Sequence, residues 1–563
     1  MARTELTGLL RRMHAAYRQS AATGEPVDEV FERRELSRRD FLARSSGAAL
    51  SAAVPLTLFG GCAHSGARDA DVSRIELRFD RAGPSTPRVA IIGGGLAGVT
   101  CAYRLRQAGI ASTIYEAGGG LGGRTWTLRG FFEQGQTAEN GGEFISTEHV
   151  ATRKLAAELG LTLDDLRAWD DGRHTSGDVY WVHGQRYPIK QMLADYGAVY
   201  PKLERDNSAA GIVRYDRHNQ AGYKLDHTSA HEWLERNVPG GLQSNLGWLL
   251  DLNATTENGG ESTEQNSLEF IYMLADMPSL NPKGGFYLVG TDERYRVREG
   301  NDQMVARMAR TLPADSINSG TRLTALSRRA DGSYLCTLSN PQRTFDAAFD
   351  HVVLALPFKT LRDCDLSRAG FSPVKMAAIR QLPMGTNIKL HVQFTSRVWL
   401  AHGSNGATYS DTGYQQTWED TRAQSGSAGV LIQYNGGHAG AAWNAPSFGP
   451  ADPSFVRGFF KQLEPLYPGI GAQWNGKAFL DNWPKDRWHR GSYSYWGLGN
   501  STTFVGIEPV RQGNVHFCGE HCSVQFGGFM NGAVETGEAA AREVMHDVKG
   551  AAAAALIGAR RAV

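Results

Sequence analysis

Cysteine is scarce in this chain: six in 563 residues, too few to staple a fold of this length. The pair Cys518 and Cys522 in "FCGEHC" lacks the C-x-x-C spacing of a redox motif and reads as two buried, inert thiols. Paired C-x-x-C and H-E-x-x-H arrangements are missing too, so no metal is assigned. Net charge is nearly absent: 59 Lys and Arg against 58 Asp and Glu leave +1, which gives no electrostatic ground for a nucleic-acid partner. No repeat of solenoid length occurs, and the 66 glycines do not follow collagen's period. What is present is ordinary for a folded enzyme: 41% hydrophobic and 21% charged residues, in a chain long enough for several cores.

The first stretch with a pattern of its own is "SRRDFLARSSGAALSAAVPLTLFGGCAHSGA". Arg38 and Arg39 precede Phe41 and Leu42, and Arg44 is the last charge before an uncharged run from Ser45 to Gly66. Its apolar part has the length of a secretory h-region and falls short of the ~20 residues of a spanning helix. The arrangement resembles a twin-arginine export signal, which implies the export machinery as a partner and a site beyond the bacterial inner membrane, periplasmic or secreted. "FGGC", ending at Cys62, loosely resembles a lipoprotein cleavage site, although Phe59 departs from the usual leucine. Residues 1–66 are therefore expected to lie outside the fold, as signal and extension.

The chemistry begins at "VAIIGGGLAGVT", where Gly93, Gly95 and Gly98 stand in G-x-G-x-x-G spacing. A β-branched strand precedes them, a helical pattern runs to Gly109, and a second strand, "ASTIYEAG", ends on Glu116. Strand, glycine turn, helix, strand and acid make a dinucleotide-binding βαβ unit. Gly93 permits the turn, Gly95 lets the backbone close on a pyrophosphate, and Gly98 lets helix and strand approach. Free N–H groups at Leu96 and Ala97 face the phosphates. A carboxylate at Glu116 can accept ribose hydroxyls and would repel the 2′-phosphate of NADP. These residues alone do not separate NAD from FAD.

The following run, "EAGGGLGGRTWT", resembles the flavin amine oxidase family of monoamine, polyamine and L-amino-acid oxidases. Glu116 and Ala117 open its motif, and Gly123 and Arg124 close it. The resemblance places Arg124 on the FAD pyrophosphate, where a guanidinium makes charge-assisted bonds. "NVHFCGEHCSVQFGGFMNGAVETGEAAAREV" resembles the family's C-terminal flavin motif, through Gly519, Glu520, Gly528, Phe529, Met530 and Ala533. By that likeness Glu520 accepts from a ribityl hydroxyl, and the backbone at Phe529 and Met530 faces the flavin pyrimidine edge from a helix N-terminus. "NGGEFI" resembles the Gly-Gly loop near the isoalloxazine, with Gly141, Gly142, Glu143 and Phe144. Leu323 falls where family backbone meets adenine.

The flavin segments are scattered, so the expected fold is α/β: a discontinuous Rossmann-like FAD-binding domain with an α+β substrate domain. Its FAD-binding parts are placed at 87–149, 291–382 and 484–548, its substrate parts at 150–290 and 383–483. "GAVYPKLERD" and "SLEFIYML" read as cap helices, "NIKLHVQF" and "GVLIQYN" as alternating strands, and His402–Gly426 as a polar surface loop. The resemblance gives Lys389 a water-mediated contact to flavin N5, and burial there should lower its pKa. It makes Trp483 a flavin-packing ring, with Tyr493 and Phe529 as the facing walls of an amine slot. Ser492 stands where monoamine oxidases carry their covalent cysteine, so FAD should be non-covalent.

The implied reaction is oxidative deamination: hydride transfer from the carbon beside a neutral amine, imine hydrolysis, and O₂ reduction to H₂O₂. A primary or secondary amine or polyamine is the expected substrate, because Phe144 stands about where an L-amino-acid oxidase carries its carboxylate-clamping arginine. An L-amino-acid oxidase, and an exported dehydrogenase with an acceptor other than O₂, stay open as alternatives. An NAD-dependent reductase is disfavoured by Arg124 and the C-terminal block, and a non-catalytic binding protein would hold a flavin that no amine reduces. The oligomeric state is not read from these residues, and a homodimer is compatible with them.

Overall fold

The computed structural model describes residues 5–35, 87–171, 177–275 and 292–549. The Arg38–Arg39 motif, the uncharged run after it and Cys62 lie outside these residues.

Five parallel strands form the first sheet, in the order Val515–Phe517, His351–Leu354, Val89–Ile92, Thr113–Glu116, Ile317–Ser319. They come from three separated stretches of sequence. The central strand "VAII" is buried at every residue, as a parallel strand covered on both faces must be. Helix Leu96–Gln107 packs on one side against the C-terminal helix Met530–Lys549, so both ends of the fold grip the glycine turn. A four-stranded sheet, centred on Arg322–Arg328 and Tyr334–Ser339, flanks this unit.

The second large layer is an eight-stranded sheet built from residues 179–186 and 388–481. Ile388–Phe394 pairs antiparallel with Gly429–Asn435 on one side and Trp474–Asp481 on the other. Every residue of the first two strands is buried, so their alternation does not divide core from solvent. Both faces are covered, and the polar members, among them Lys389, His391 and Gln393, need internal partners. "GAVYPKLERD" and "SLEFIYML" contribute the helices Tyr200–Ala210 and Ser267–Ala275, which pack on each other.

Two readings of the sequence are corrected here. The stretch His402–Gly426 is not a surface loop: it carries the strands Thr408–Ser410 and Gln416–Glu419, buried throughout. Its polar residues mislead because they pair inside, as in the Thr408–Thr417 hydroxyl contact at 2.7 Å and the Trp399–Glu419 bond at 2.8 Å.

Nor do the amino-terminal residues all lie outside the fold. Helix Glu5–Thr23 is folded against helix Ser267–Ala275. Leu6, Leu9, Leu10, Met13 and Ala16 recur at helical spacing, and each is at most 3% exposed. Burying the four larger side chains is worth about 1.5–3 kcal/mol each, which outweighs the weak preference of an isolated helix to melt. A second helical stretch over 27–35 adds Val30 and Phe31 to the same core. Among the described residues, no helix is long and apolar enough to cross a membrane.

Candidate active site

The glycine turn closes the gap between strand and helix. Gly93 has φ +106, and a Cβ there would sit 2.5 Å from the carbonyl oxygen of Ala355, so no other residue fits. Gly95 caps Leu96–Gln107 without a side-chain acceptor, and the first-turn N–H groups point outward. Glu116 is fixed before any ligand arrives: its two oxygens accept from the N–H of Gly94 at 2.7 Å and of Gly118 at 2.6 Å.

One cavity runs from this turn to the eight-stranded sheet. Every residue expected at the site lines it except Gly98, which serves the packing of helix on strand. The middle of the cavity is held by a half-buried ion pair. Arg124 Nη1 donates to Glu520 Oε1 and to the carbonyl of Ser492, both at 2.8 Å. Glu520 also accepts from the Ser494 hydroxyl and N–H and from the Gly528 N–H. Burial alone would raise its pKa, but Arg124 and these donors hold it at about 2. A carboxylate has about four lone-pair sites, and here they are filled. Glu520 therefore braces Arg124 against the Gly528 turn while lining the cavity.

Lys389 is likewise committed. Its three N–H donors go to the carbonyls of Glu139 (2.8 Å) and Gly141 (3.0 Å) and to Glu143 Oε2 (3.0 Å). Burial pulls the lysine's pKa down, but Glu143 and Asp420 outweigh it, and the net shift is upward. The expected lowering is thus wrong, because the charge that would be desolvated is paired. Glu143 is pushed up to about 7 by burial and Asp420, with Lys389 opposing; its oxygens also accept from Trp418 Nε1 at 2.9 and 3.0 Å.

Behind this pair lies a second buried set. His391 Nε2 meets Asp481 Oδ2 at 2.8 Å, and its Nδ1 lies 3.2 Å from Asp420 Oδ2. Asp420 is paired in turn with Arg296 at 3.0 Å.

One open polar group has no role assigned by the motifs. Asn140 is fully buried among the residues lining the cavity, and neither its Oδ1 nor its Nδ2 has a partner among the described residues. A buried amide without partners is costly, and a ligand or water reaching it would satisfy it. The sequence signal was there: a side-chain amide directly before the Gly-Gly pair, on a loop whose neighbours are held by Lys389. Gly141 itself admits no Cβ, since the carbonyl of Arg124 occupies that space. Glycine turn, fixed acid, buried cation and orphaned amide line one continuous channel, and this donor set fits a flavin dinucleotide.

Aromatic rings close the far end. The hydroxyls of Tyr434 and Tyr493 meet at 2.8 Å, and Trp418 packs edge-on to Tyr434 with centroids 5.0 Å apart. Phe529 stands on another wall against His149, at 4.7 Å. Trp483 is buried and donates to the carbonyl of Asn140 at 2.8 Å. Trp418 and Tyr434 were missed because alternation and polarity alone put their segments elsewhere. An arginine does reach this end from outside the Gly-Gly loop: Arg422 lies over the Phe144 ring at 5.3 Å and pairs with Asp170 at 3.0 Å. Glu293, with φ +43, also lines the cavity, and its side chain makes no hydrogen bond or ion pair among the described residues. Burial and the nearby Glu5 and Glu257 hold its pKa well above the ordinary range.

Outside this cavity, His351, His516 and Asp547 bring possible ligand atoms within 4.8 Å. Their partners are protein groups: His516 meets Glu543 at 2.7 Å and Asp547 meets Arg511 at 2.7 Å.

Comparison with known proteins agrees on the kind of molecule. A family model described as flavin containing amine oxidoreductase matches residues 96–545. A pseudooxynicotine dehydrogenase from Pseudomonas is 23% identical over 92% of this chain and 97% of its own. A flavin-containing amine oxidase from Oncorhynchus mykiss is 24% identical over 82% of this chain and 86% of its own. Among solved structures, cyclohexylamine oxidase from Brevibacterium oxydans superposes with a TM-score of 0.69 at 21% identity, covering 82% of this chain and 100% of that one.

Proposed function

The chain belongs to the family of flavin-containing amine oxidoreductases, and from that premise we propose that it deaminates an amine oxidatively with non-covalent FAD, delivers the electrons to O₂, and works outside the bacterial inner membrane. Bound FAD supplies the hydride acceptor and, once reduced, the electrons for O₂. The chain's own residues bind and orient. Arg124 and the free N–H groups of the glycine turn suit the diphosphate, Glu116 the ribose, and the open amide of Asn140 a polar edge of the ring system. Tyr434, Tyr493 and Phe529 exclude water around a neutral amine and narrow its approach.

The charge of the chamber carries the choice of an amine over an amino acid. Arg422 is neutralised by Asp170, whereas the Glu293 carboxyl is unpaired. A substrate carboxylate would meet a wall with no free cation among these groups, whereas a neutral amine would find in the Glu293 carboxyl, held protonated by burial and the nearby acids, a hydrogen-bonding partner. Anaerobic bleaching of the flavin against monoamines, polyamines and L-amino acids tests this. Bleaching by amines is expected, and bleaching by amino acids alone would refute the amine reading. One observation favours a different acceptor: the Pseudomonas relative is named a dehydrogenase. Return of the flavin colour in air, with H₂O₂ released, is expected of an oxidase; a reduced enzyme that stays bleached supports the other acceptor.

Non-covalent FAD follows from Ser492, which cannot form a thioether and instead donates to Asn387 Oδ1 at 2.6 Å. Denaturation should therefore release all flavin into the supernatant. Arg124→Ala should weaken FAD binding by on the order of 10²-fold, since a bond to a charged group is worth about 1.5–3 kcal/mol. Titration of the apoenzyme followed by flavin fluorescence measures it.

Export rests on the arginine pair of "SRRDFL". Replacing Arg38 and Arg39 by lysine should hold the activity in the cytoplasmic fraction; unchanged distribution would discard the signal.

A further inference from the structure

The amino-terminal helix lies upstream of the twin-arginine motif, yet it is built into the fold downstream of it. We propose that Glu5–Thr23 is a permanent wall of the substrate chamber, so that the motif-bearing stretch 36–86 connects two parts of one fold and export does not strip the helix from the working enzyme.

Three independent sets of contacts hold it there. Its apolar face is buried in the core against helix Ser267–Ala275. Its polar side chains complete buried bonds: the Thr7 hydroxyl lies 2.8 Å from both Asn253 Oδ1 and Glu257 Oε1, and His14 lies between Tyr196 (3.2 Å) and Glu204 (2.6 Å). Its first turn reaches the cavity itself. The free N–H of Leu6 donates to the Tyr409 hydroxyl at 3.1 Å, which also accepts from Gln416 Nε2 at 3.0 Å. Glu5, beside it, lines the cavity and pairs with Arg167 at 2.7 Å. Removing the helix would open an apolar trough and orphan buried polar groups on several elements at once. A leader meant for disposal has no reason to be bonded in this way.

The helix thereby brings to the cavity a segment that the family model does not cover, since that match begins at residue 96.

The test uses full-length holoenzyme with a protease recognition sequence inserted within 36–86, cut under native conditions and run on a sizing column. The amino-terminal fragment is expected to co-elute with the flavin-bearing chain, as intact mass shows. Separation of the fragment would overturn the proposal, whatever its effect on rate. The natural counterpart is mass spectrometry of exported enzyme, which should contain residues 5–35 on the same chain or as a bound fragment; their absence from active enzyme would also overturn it.

Discussion

Lys389→Met is expected to cost the folded enzyme about 3–5 kcal/mol, with Glu143→Gln added to it restoring most of that. The two side chains are 6% and 5% exposed, and the lysine's three donors tie the backbone of residues 139–141 to Glu143. Deleting the cation alone leaves a carboxylate in a dry wall beside Asp420. Glu143, already raised to about 7, would then rise further and take a proton. The sign follows: an acid whose folded pKa lies above its unfolded value of about 4.3 loses stability as pH rises through the folded value. The single variant should therefore be worse at alkaline than at acidic pH. In the double variant the side-chain amide introduced by Glu143→Gln still offers Trp418 an oxygen, and no unpaired charge remains. Urea midpoints of the four proteins, read by flavin absorbance, form the cycle. If the double variant is as weak as the single one, the lysine acts by holding the Asn140–Gly141 backbone rather than by matching a charge.

Alkaline pH should destabilise the wild-type enzyme through His391. Burial opposes protonation of this imidazole, but Asp481 and Asp420 outweigh it and raise its pKa to about 9. Its unfolded value is about 6.5, so the stabilisation is fully present below that and is lost as pH climbs through about 9. The difference amounts to roughly 3 kcal/mol. The other charges facing it are Arg296 and Lys389, through Asp420. Glu139, raised to about 8 chiefly by burial, acts in the same direction, because its ionisation over that interval is also opposed by the fold. Thermal midpoints between about pH 6 and pH 10 should fall from about pH 6.5 to about pH 9 and level off above that. His391→Asn should start lower and lose most of the slope. A wild-type midpoint that stays flat across that interval would mean the imidazole is neutral and the aspartates share their proton elsewhere.

The sequence alone determined the nucleotide-binding half of this protein. Gly93, Glu116, Arg124 and the "GGFMNGA" block are legible because they act through backbone geometry and local spacing, which survive as motifs wherever they stand. Strand Ile388–Phe394 was legible too, since β-branched residues declare a strand without help from neighbours. Only the tertiary structure decided what each charge does. Lys389, Glu143, Arg124 and Glu520 read singly as cofactor contacts; the fold also pairs Lys389 with Glu143 and Arg124 with Glu520, and leaves Asn140 among the buried polar groups without a partner among the described residues. Distance in sequence hid those pairings, which span 396 residues for Arg124 and Glu520 and 246 for Lys389 and Glu143. The same holds for Trp418, whose polar surroundings suggested a surface, and for Leu6 and Glu5, whose place in the chain suggested a leader. Burial is a property of what covers a residue, and what covers these comes from remote parts of the chain.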